Sequence, residues 1–224
     1  MTTTTTSAQR RLFITLPPWC SYVGVLCDTV TGSLTYASVL SITLTNSSLV
    51  GTLPSSIRYL TSLQFLYMDQ NGLNGSIPST IGYLKALQQI DFSYNEMSGS
   101  VPNSIGSVVS LNYFFAFVNH YTGTIPSSIG TLSLLQYLDL DTNLLTGTIP
   151  SSFSKLSLMQ YFNMTNNYLT MGSLSTVPVN TFSNYTLSIN PLTSAFDLTK
   201  NCLAFSYHQI QVTPTHCQPT PSKL

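Results

Sequence analysis

LNYFFAFVNHYTGTIPSSIGTLSL (residues 111–134) runs directly into LQYLDLDTNLLTGTIPSSFSKLSL (residues 135–158). Asn119 and Asn143, Gly123 and Gly147, and Pro126 and Pro150 each stand 24 residues apart. The step extends both ways: Asn71, Asn95, Asn119, Asn143 and Asn167 form one column, and Gly51, Gly75, Gly99, Gly123 and Gly147 another. Pro54, Pro78, Pro102, Pro126 and Pro150 form a third. We number six coils from Val39, Leu63, Leu87, Leu111, Leu135 and Met159. Position 4 then reads Ile42, Leu66, Ile90, Phe114, Leu138 and Phe162, and position 6 reads Leu44, Met68, Phe92, Ala116, Leu140 and Met164. Positions 19 and 22 are apolar as well. A period of this length marks stacked repeats. Alternation over positions 3 to 7 predicts a short strand with 4 and 6 facing inward. The position-9 Asn, which both donates and accepts, is expected to tie the turn to the backbone of the next coil. The Gly and Pro columns read as turns, and the 19/22 pair as the far wall. One coil cannot bury its own apolar face, whereas a stack buries a continuous core. At ~4.8 Å per coil, six coils predict a parallel sheet about 29 Å long.

The pattern L-x-x-L-x-L-x-x-N-x-L-x-G-x-I-P, from Val39 to about Thr170, resembles the plant-type extracellular leucine-rich repeat. That family includes polygalacturonase-inhibiting proteins and receptor-kinase ectodomains. Cys20-Ser-Tyr-Val-Gly-Val-Leu-Cys27 is similar to its N-terminal cap, C-x-W-x-G-V-x-C, with Tyr22 where Trp is usual. The resemblance implies an α/β right-handed solenoid. A parallel sheet of short strands would line the concave face, and the convex side would be irregular or 3-10. The expected organisation is a disordered low-complexity stretch over 1–12, an incomplete cysteine-containing cap over 13–38, and coils over 39–170. A C-terminal cap over 171–217 and a tail over 218–224 follow. Two departures stand out: Ser47 replaces the Asn of the first coil, and the phase breaks at Met171-Gly172-Ser173. The motif fixes the fold and says little about function, because one fold hosts many sites.

Charged residues make up 6% of the 224 residues, about a quarter of ordinary usage. Seven bases and seven acids cancel. That argues against a nucleic-acid binder, which needs clustered Lys and Arg, and against a basic membrane-surface helix. Ser and Thr total 62, so hydroxyls and amides must wet the surface. No run approaches the ~20 apolar residues of a membrane span. Cys20 with Cys27, and Cys202 with Cys217, lack C-x-x-C or zinc spacing. They read as two short disulfide loops, which implies an oxidising compartment; free thiols in the cytoplasm are the alternative. Sequons at Asn46, Asn74, Asn163 and Asn184 fit a secreted or cell-surface glycoprotein. Leu12 to Leu16 is shorter than the roughly 7–15 apolar residues of a signal core, so the N-terminus reads as truncated. Ser222-Lys223-Leu224 spells a peroxisomal address, which disulfides and glycans would not suit.

Recognisable chemistry is sparse. Ser152-Phe-Ser-Lys155 matches the S-x-x-K acylation motif. Ser152 nevertheless occupies position 18, where Ser56, Thr80, Ser104 and Ser128 stand without a lysine three residues on. His120, at position 10, reads as a turn residue, and His208 and His216 have no triad partners in sequence. No catalytic residue, metal or cofactor is expected, and the chain is expected not to be an enzyme. The informative columns point outward from the strands. Position 3 carries Phe65, Gln89, Tyr113, Tyr137 and Tyr161, and positions 5, 7 and 8 add Tyr67, Phe115, Phe117 and Tyr94. Asp69, Asp91, Asp139 and Asp141 share these columns, while Arg58, Lys85 and Lys155 fall on the opposite wall. Contiguous exposed aromatics mark a binding face, and acids beside them steer a basic partner. The ligand-binding residues are therefore expected to be Tyr113, Phe115, Phe117, Tyr137, Asp139 and Asp141, flanked by Tyr161 and Asp91. A glycan on Asn163 would cover the C-terminal end of that face. The leading expectation is a recognition module for a protein or peptide ligand. Carbohydrate binding is one alternative. Another is a structural or adhesive role, similar to the leucine-rich surface antigens of protozoan parasites. The hydroxyl column Thr52, Ser76, Ser100, Thr124 and Thr148 raises ice binding as a further reading.

Overall fold

The computed structural model describes residues 23–29, 37–170 and 184–186. Cys20, Cys202, Cys217, the segment 1–12 and most of the expected C-terminal cap lie outside them. The described strands are β1 (Val25–Thr29), β2 (Ala37–Thr43), β3 (Val50–Thr52), β4 (Phe65–Tyr67), β5 (Gly72–Gly75), β6 (Gln89–Asp91) and β7 (Glu96–Gly99). They continue with β8 (Tyr113–Phe115), β9 (His120–Thr124), β10 (Tyr137–Asp139), β11 (Leu144–Gly147), β12 (Tyr161–Asn163), β13 (Tyr168–Leu169) and β14 (Asn184–Thr186). One sheet runs β1-β2-β4-β6-β8-β10-β12-β14. It is parallel from β2 onward, with β1 closing the N-terminal edge antiparallel to β2. Tyr113, Tyr137 and Tyr161 stand directly opposite one another in it, so each column becomes a ladder across the strands.

A second sheet, β13-β11-β9-β7-β5-β3, forms where the sequence suggests only turns. Residues such as Gly72-Leu73-Asn74-Gly75 have poor strand propensity. They are extended because each coil hydrogen-bonds to the next, not because their own preferences ask for it. His120 accordingly lies in β9, exposed, and not in a turn. Each of the first five coils then makes a 3-10 turn after its proline, as at Ser127–Thr131 behind Pro126. The fixed proline φ suits that entry. Leu66, Ile81, Leu84, Leu87, Ile90, Phe92, Phe114, Ile129 and Leu138 fill the space between the sheets and the turns, wholly buried. Tyr121 joins them from position 11. Its hydroxyl donates to the Met97 sulfur at 3.1 Å, and burial pushes its pKa far up.

Two glycine roles fix the spacing. Gly24 has φ +85, and its carbonyl accepts the Thr43 N–H at 2.6 Å; a Cβ there would lie 2.1 Å from the Thr43 oxygen. On the convex wall, a Cβ on Gly106 would lie 2.4 Å from the Ser128 carbonyl oxygen, and Gly82 and Gly130 are equally close to the following coil. Sequence reading passed over this column.

The asparagine amides are almost fully used. Asn119 Nδ2 donates to the carbonyls of Phe92 (2.9 Å), Ala116 and Phe117 (both 3.3 Å), while its Oδ1 accepts the Met97 N–H at 2.9 Å. The tie therefore runs to the preceding coil, where the sequence reading expected the next one. Asn71 likewise accepts the N–H groups of Ser47 and Leu49. The first coil needs no Asn of its own, because the second coil braces it. Just before each Asn, position 8 is left-handed, with φ of 57 at Gln70, 53 at Tyr94 and Val118, and 51 at Thr142. Among the described residues, no helix is long and apolar enough to cross a membrane, and no His, Cys, Asp and Glu cluster could hold a metal.

Candidate ligand-binding face

Columns 3, 5, 7 and 8 form the open face of the larger sheet. In column 3 the rings of Tyr113 and Tyr137 stack with centroids 4.6 Å apart and planes at 9°, and Tyr137 and Tyr161 follow at 6.3 Å and 23°. Phe115 meets Tyr113 edge-on at 6.2 Å and Phe117 at 6.5 Å, and Phe117 meets Tyr94 edge-on at 5.1 Å. The strand register dictates this continuity, because ~4.8 Å between strands is close to a ring-stacking distance. The Tyr137 hydroxyl is held by Gln160 Oε1 at 2.9 Å and the Tyr67 hydroxyl by Gln89, which fixes ring orientation without occupying the ring faces. Tyr94 is 51% exposed.

The acids differ from one another. Asp139 is buried. Its Oδ1 accepts the Asp141 N–H at 3.0 Å; its Oδ2 accepts the Tyr161 hydroxyl at 3.1 Å and the Asn163 amide at 3.4 Å. Burial raises its pKa, against the lowering pull of these donors. Burial also raises the Tyr161 hydroxyl, with the Asp139 charge adding to it. Asp141 is bonded by the Thr165 hydroxyl, the Thr142 hydroxyl at 2.9 Å and the Asn166 amide at 3.2 Å. Asp91 is half-buried between Tyr67 and Phe115 in the register, and its Oδ1 accepts the Ser93 N–H at 2.9 Å. Burial raises Asp91 above the usual carboxylate range; Ser93 opposes the rise and nearby Asp69 adds to it.

The residues named from sequence thus fall into two groups. Tyr113, Phe115, Phe117, Tyr137 and Asp91 lie on the open sheet, whereas Asp139, Asp141 and Tyr161 belong to a hydrogen-bonded network. Asn163 is part of that network too: its amide nitrogen also reaches the Tyr161 hydroxyl at 3.3 Å, and its Oδ1 accepts the Thr165 N–H. Asn46 and Asn74 are exposed. Asn184 lies in β14. Cys27 is disulfide-bonded. Ser152 donates to the Ser127 carbonyl at 2.6 Å, a bond between coils. Sequence reading placed Gln89 on this face but missed Gln136 and Gln160. Gln160 bonds both the Tyr137 hydroxyl and Gln136, and its spacing of one coil from Gln136 was the available signal.

The chain matches the Leucine Rich Repeat family over residues 62–84, 86–108 and 134–156. It is 47% identical over 47 residues to the leucine-rich repeat receptor-like protein kinase TDR of Arabidopsis thaliana; the match spans 21% of this chain and only 4% of that protein. Among solved structures, the BIR3–SERK2 complex of Arabidopsis thaliana is 33% identical, with TM-score 0.58, covering 67% of this chain and 78% of the matched one. The ectodomain of the receptor kinase SOBIR1 from the same plant is 26% identical, with TM-score 0.64 over 68% of this chain and 86% of the matched one. A plant ice-binding protein is 25% identical, with TM-score 0.55 over 76% of this chain and 56% of the matched one. Repeat period, strand-and-turn order and overall likeness agree: this chain belongs to the plant-type extracellular leucine-rich repeat family.

Proposed function

We propose that this chain is a non-catalytic recognition module, secreted or displayed at the cell surface, that takes a protein or peptide ligand on its concave face. The observation that carries this reading is the run of rings from Tyr94 through Phe117, Phe115 and Tyr113 to Tyr137, side by side on an open sheet. Large amphipathic rings at the centre of an exposed face are the usual source of binding energy. Relatives that are receptor ectodomains, one of them solved in a complex, support it. The site is centred on coils three to five, around Tyr113, Phe115, Phe117 and Tyr137, with Asp139, Asp141 and Tyr161 as its C-terminal brace. Panning a peptide display library and an extracellular protein panel tests this. Ligands should lose at least about 2 kcal/mol on Tyr137→Ala and be unaffected by Lys85→Ala. Ligands lost only on Lys85→Ala or Lys155→Ala would move the site to the convex wall. A glycan array run beside it examines the carbohydrate alternative, and a chain that binds in neither assay fits the structural or adhesive role.

Two finer assignments belong to the same reading. Cys20–Cys27 and Cys202–Cys217 pair within themselves, which non-reducing peptide mapping checks. Asn46 and Asn74, whose side chains are exposed, carry glycans, whereas Asn163, with its amide committed to Asp139 and Tyr161, does not. That leaves the concave face clear along its whole length.

A second reading is favoured by one observation. Thr122, Thr124, Thr146 and Thr148 are exposed on the second sheet, with Asn74, Ser76 and Ser100 in the same columns. They form an uncharged hydroxyl and amide array, and the structural likeness to a plant ice-binding protein makes ice a ligand to try. An ice-recrystallisation assay on the purified chain, with Thr122→Lys as the control, decides it.

A further inference from the structure

We infer that Asp91, walled by Tyr67 and Phe115, is a pocket for a cationic side chain, and that the concave-face partner is a basic peptide. In that peptide an arginine or lysine lies within two residues of an apolar or aromatic residue. This rests on the concave-face reading above and deepens it.

Asp91 stands in column 5 directly opposite Tyr67 on one neighbouring strand and Phe115 on the other. A ring therefore flanks its carboxylate on each side at about the strand spacing of 4.8 Å. Taking a carboxylate partly out of water is costly unless a counter-charge or several donors compensate. Ser93 supplies donors to Asp91 from within its own coil, but among the described residues no base supplies the counter-charge. The bases of the described residues are all held elsewhere or face away: Arg58 bonds the Tyr59 hydroxyl at 2.8 Å and lies over that ring, Lys85 donates to the Ser107 carbonyl, and Lys155 ends a convex turn. His120 is in β9 of the other sheet. Asp139, in the same column two coils on, receives a hydroxyl, an amide and a backbone N–H. Asp91 keeps the equivalent backbone bond, from Ser93, but receives no donor from a neighbouring coil, because its neighbours in the column are rings. A second carboxylate, Asp69, sits close enough to raise it further, and of Asp69 only Oδ1 is engaged, by the Thr45 hydroxyl.

The missing partner has a definite chemistry. A guanidinium is planar, forks onto carboxylates and stacks on aromatic faces, so it suits a carboxylate between two rings better than any neutral group. The next strand places Phe115 beside the pocket, and Phe117, two residues beyond, meets Phe115 and Tyr94 edge-on. An extended peptide crossing the strands advances ~3.3 Å per residue, so one to two residues carry it from Asp91 to Phe115. That step places the basic residue beside an apolar one.

The test uses three acetylated, amidated pentapeptides, Gly-Arg-Gly-Phe-Gly and its Gln and Glu versions at the second position, titrated by NMR against the full chain. The Arg peptide should shift Tyr67 and Phe115 resonances and bind about tenfold more tightly than the Gln peptide, with the Glu peptide weakest. The advantage should shrink as salt rises and vanish in the near-isosteric Asp91→Asn variant. If all three peptides bind alike while still shifting Phe115 and Tyr137, the cation pocket is wrong and the concave-face reading survives. If shifts appear only on the convex wall, both fall. Absence of any Arg-dependent shift at Tyr67 and Phe115 overturns the pocket.

Discussion

Asp91 and Asp139 occupy the same column of the same sheet, two coils apart, and burial raises both above the ordinary carboxylate range. Asp139 is wrapped in donors from the following coil, Tyr161 and Asn163, whereas the following coil gives Asp91 only the ring of Phe115. One residue type at one repeat position is thus a brace at one end of the face and an open charge in the middle. What decides between them is the residue one coil further on. In a repeat protein the partner of a side chain is read 24 residues downstream, not next to it.

The comparison breaks most directly through Asp139. Asp139→Ala would strand the Tyr161 hydroxyl, the Asn163 amide and the Asp141 N–H in a buried site, and should cost about 2–3 kcal/mol in urea denaturation. Asp91→Ala strands only the Ser93 N–H while removing a desolvated charge, and should cost less, about 1 kcal/mol. Equal losses would mean that the two acids do the same work. Next in size, Tyr161→Phe removes one charge-assisted donor and should cost about 1–2 kcal/mol. Tyr113→Phe, at the same position two coils earlier, has no hydroxyl bond of this kind to lose and should cost less; the reverse order would put the brace elsewhere. The smallest effect is that of pH. Folding raises both pKa values, so the folded state holds these protons more tightly than the unfolded chain. Their ionisation weakens the fold above the folded-state pKa, and stability is regained as pH falls towards the ordinary carboxylate value near 3.8. The urea midpoint should therefore rise on going from pH 7 to about 4.5, and rise less in Asp91→Asn, if desolvation of that carboxylate is real.

Much of this architecture is legible because repetition converts sequence distance into spatial adjacency. Ile90, Phe114 and Leu138 announce a buried column, and Tyr113, Tyr137 and Tyr161 an exposed one, before any coordinates are known. The second sheet is not legible: Gly72-Leu73-Asn74-Gly75 is extended through hydrogen bonds to neighbouring coils, which local propensity does not record. The convex glycines carry their reason on another coil, in the Ser carbonyl that would meet their Cβ. Of the face, sequence found the rings and acids but placed Asp139 and Asp141 among the open residues. Their commitment was written in Asn163 and Thr165, each one coil on, had the columns been read as bonding pairs.

The asparagine ladder gives the stack a polarity. Every amide reaches back: Asn167 holds the Leu145 N–H and the Leu140 carbonyl, Asn143 the Tyr121 N–H and the Ala116 carbonyl, and so on down to Asn71 and Leu49. Through these amides a coil is therefore clamped by its successor and not by its predecessor, while backbone bonds join it to both. Peeling the stack from its C-terminal end takes away the clamp on the coil left behind, so each loss loosens the next, like a zipper drawn from the slider end. Peeling from the other end breaks backbone bonds too but removes no asparagine clamp from what remains; it leaves one amide looking for new partners in water. Truncated forms of equal length should then differ in how sharply they melt, according to which end was shortened.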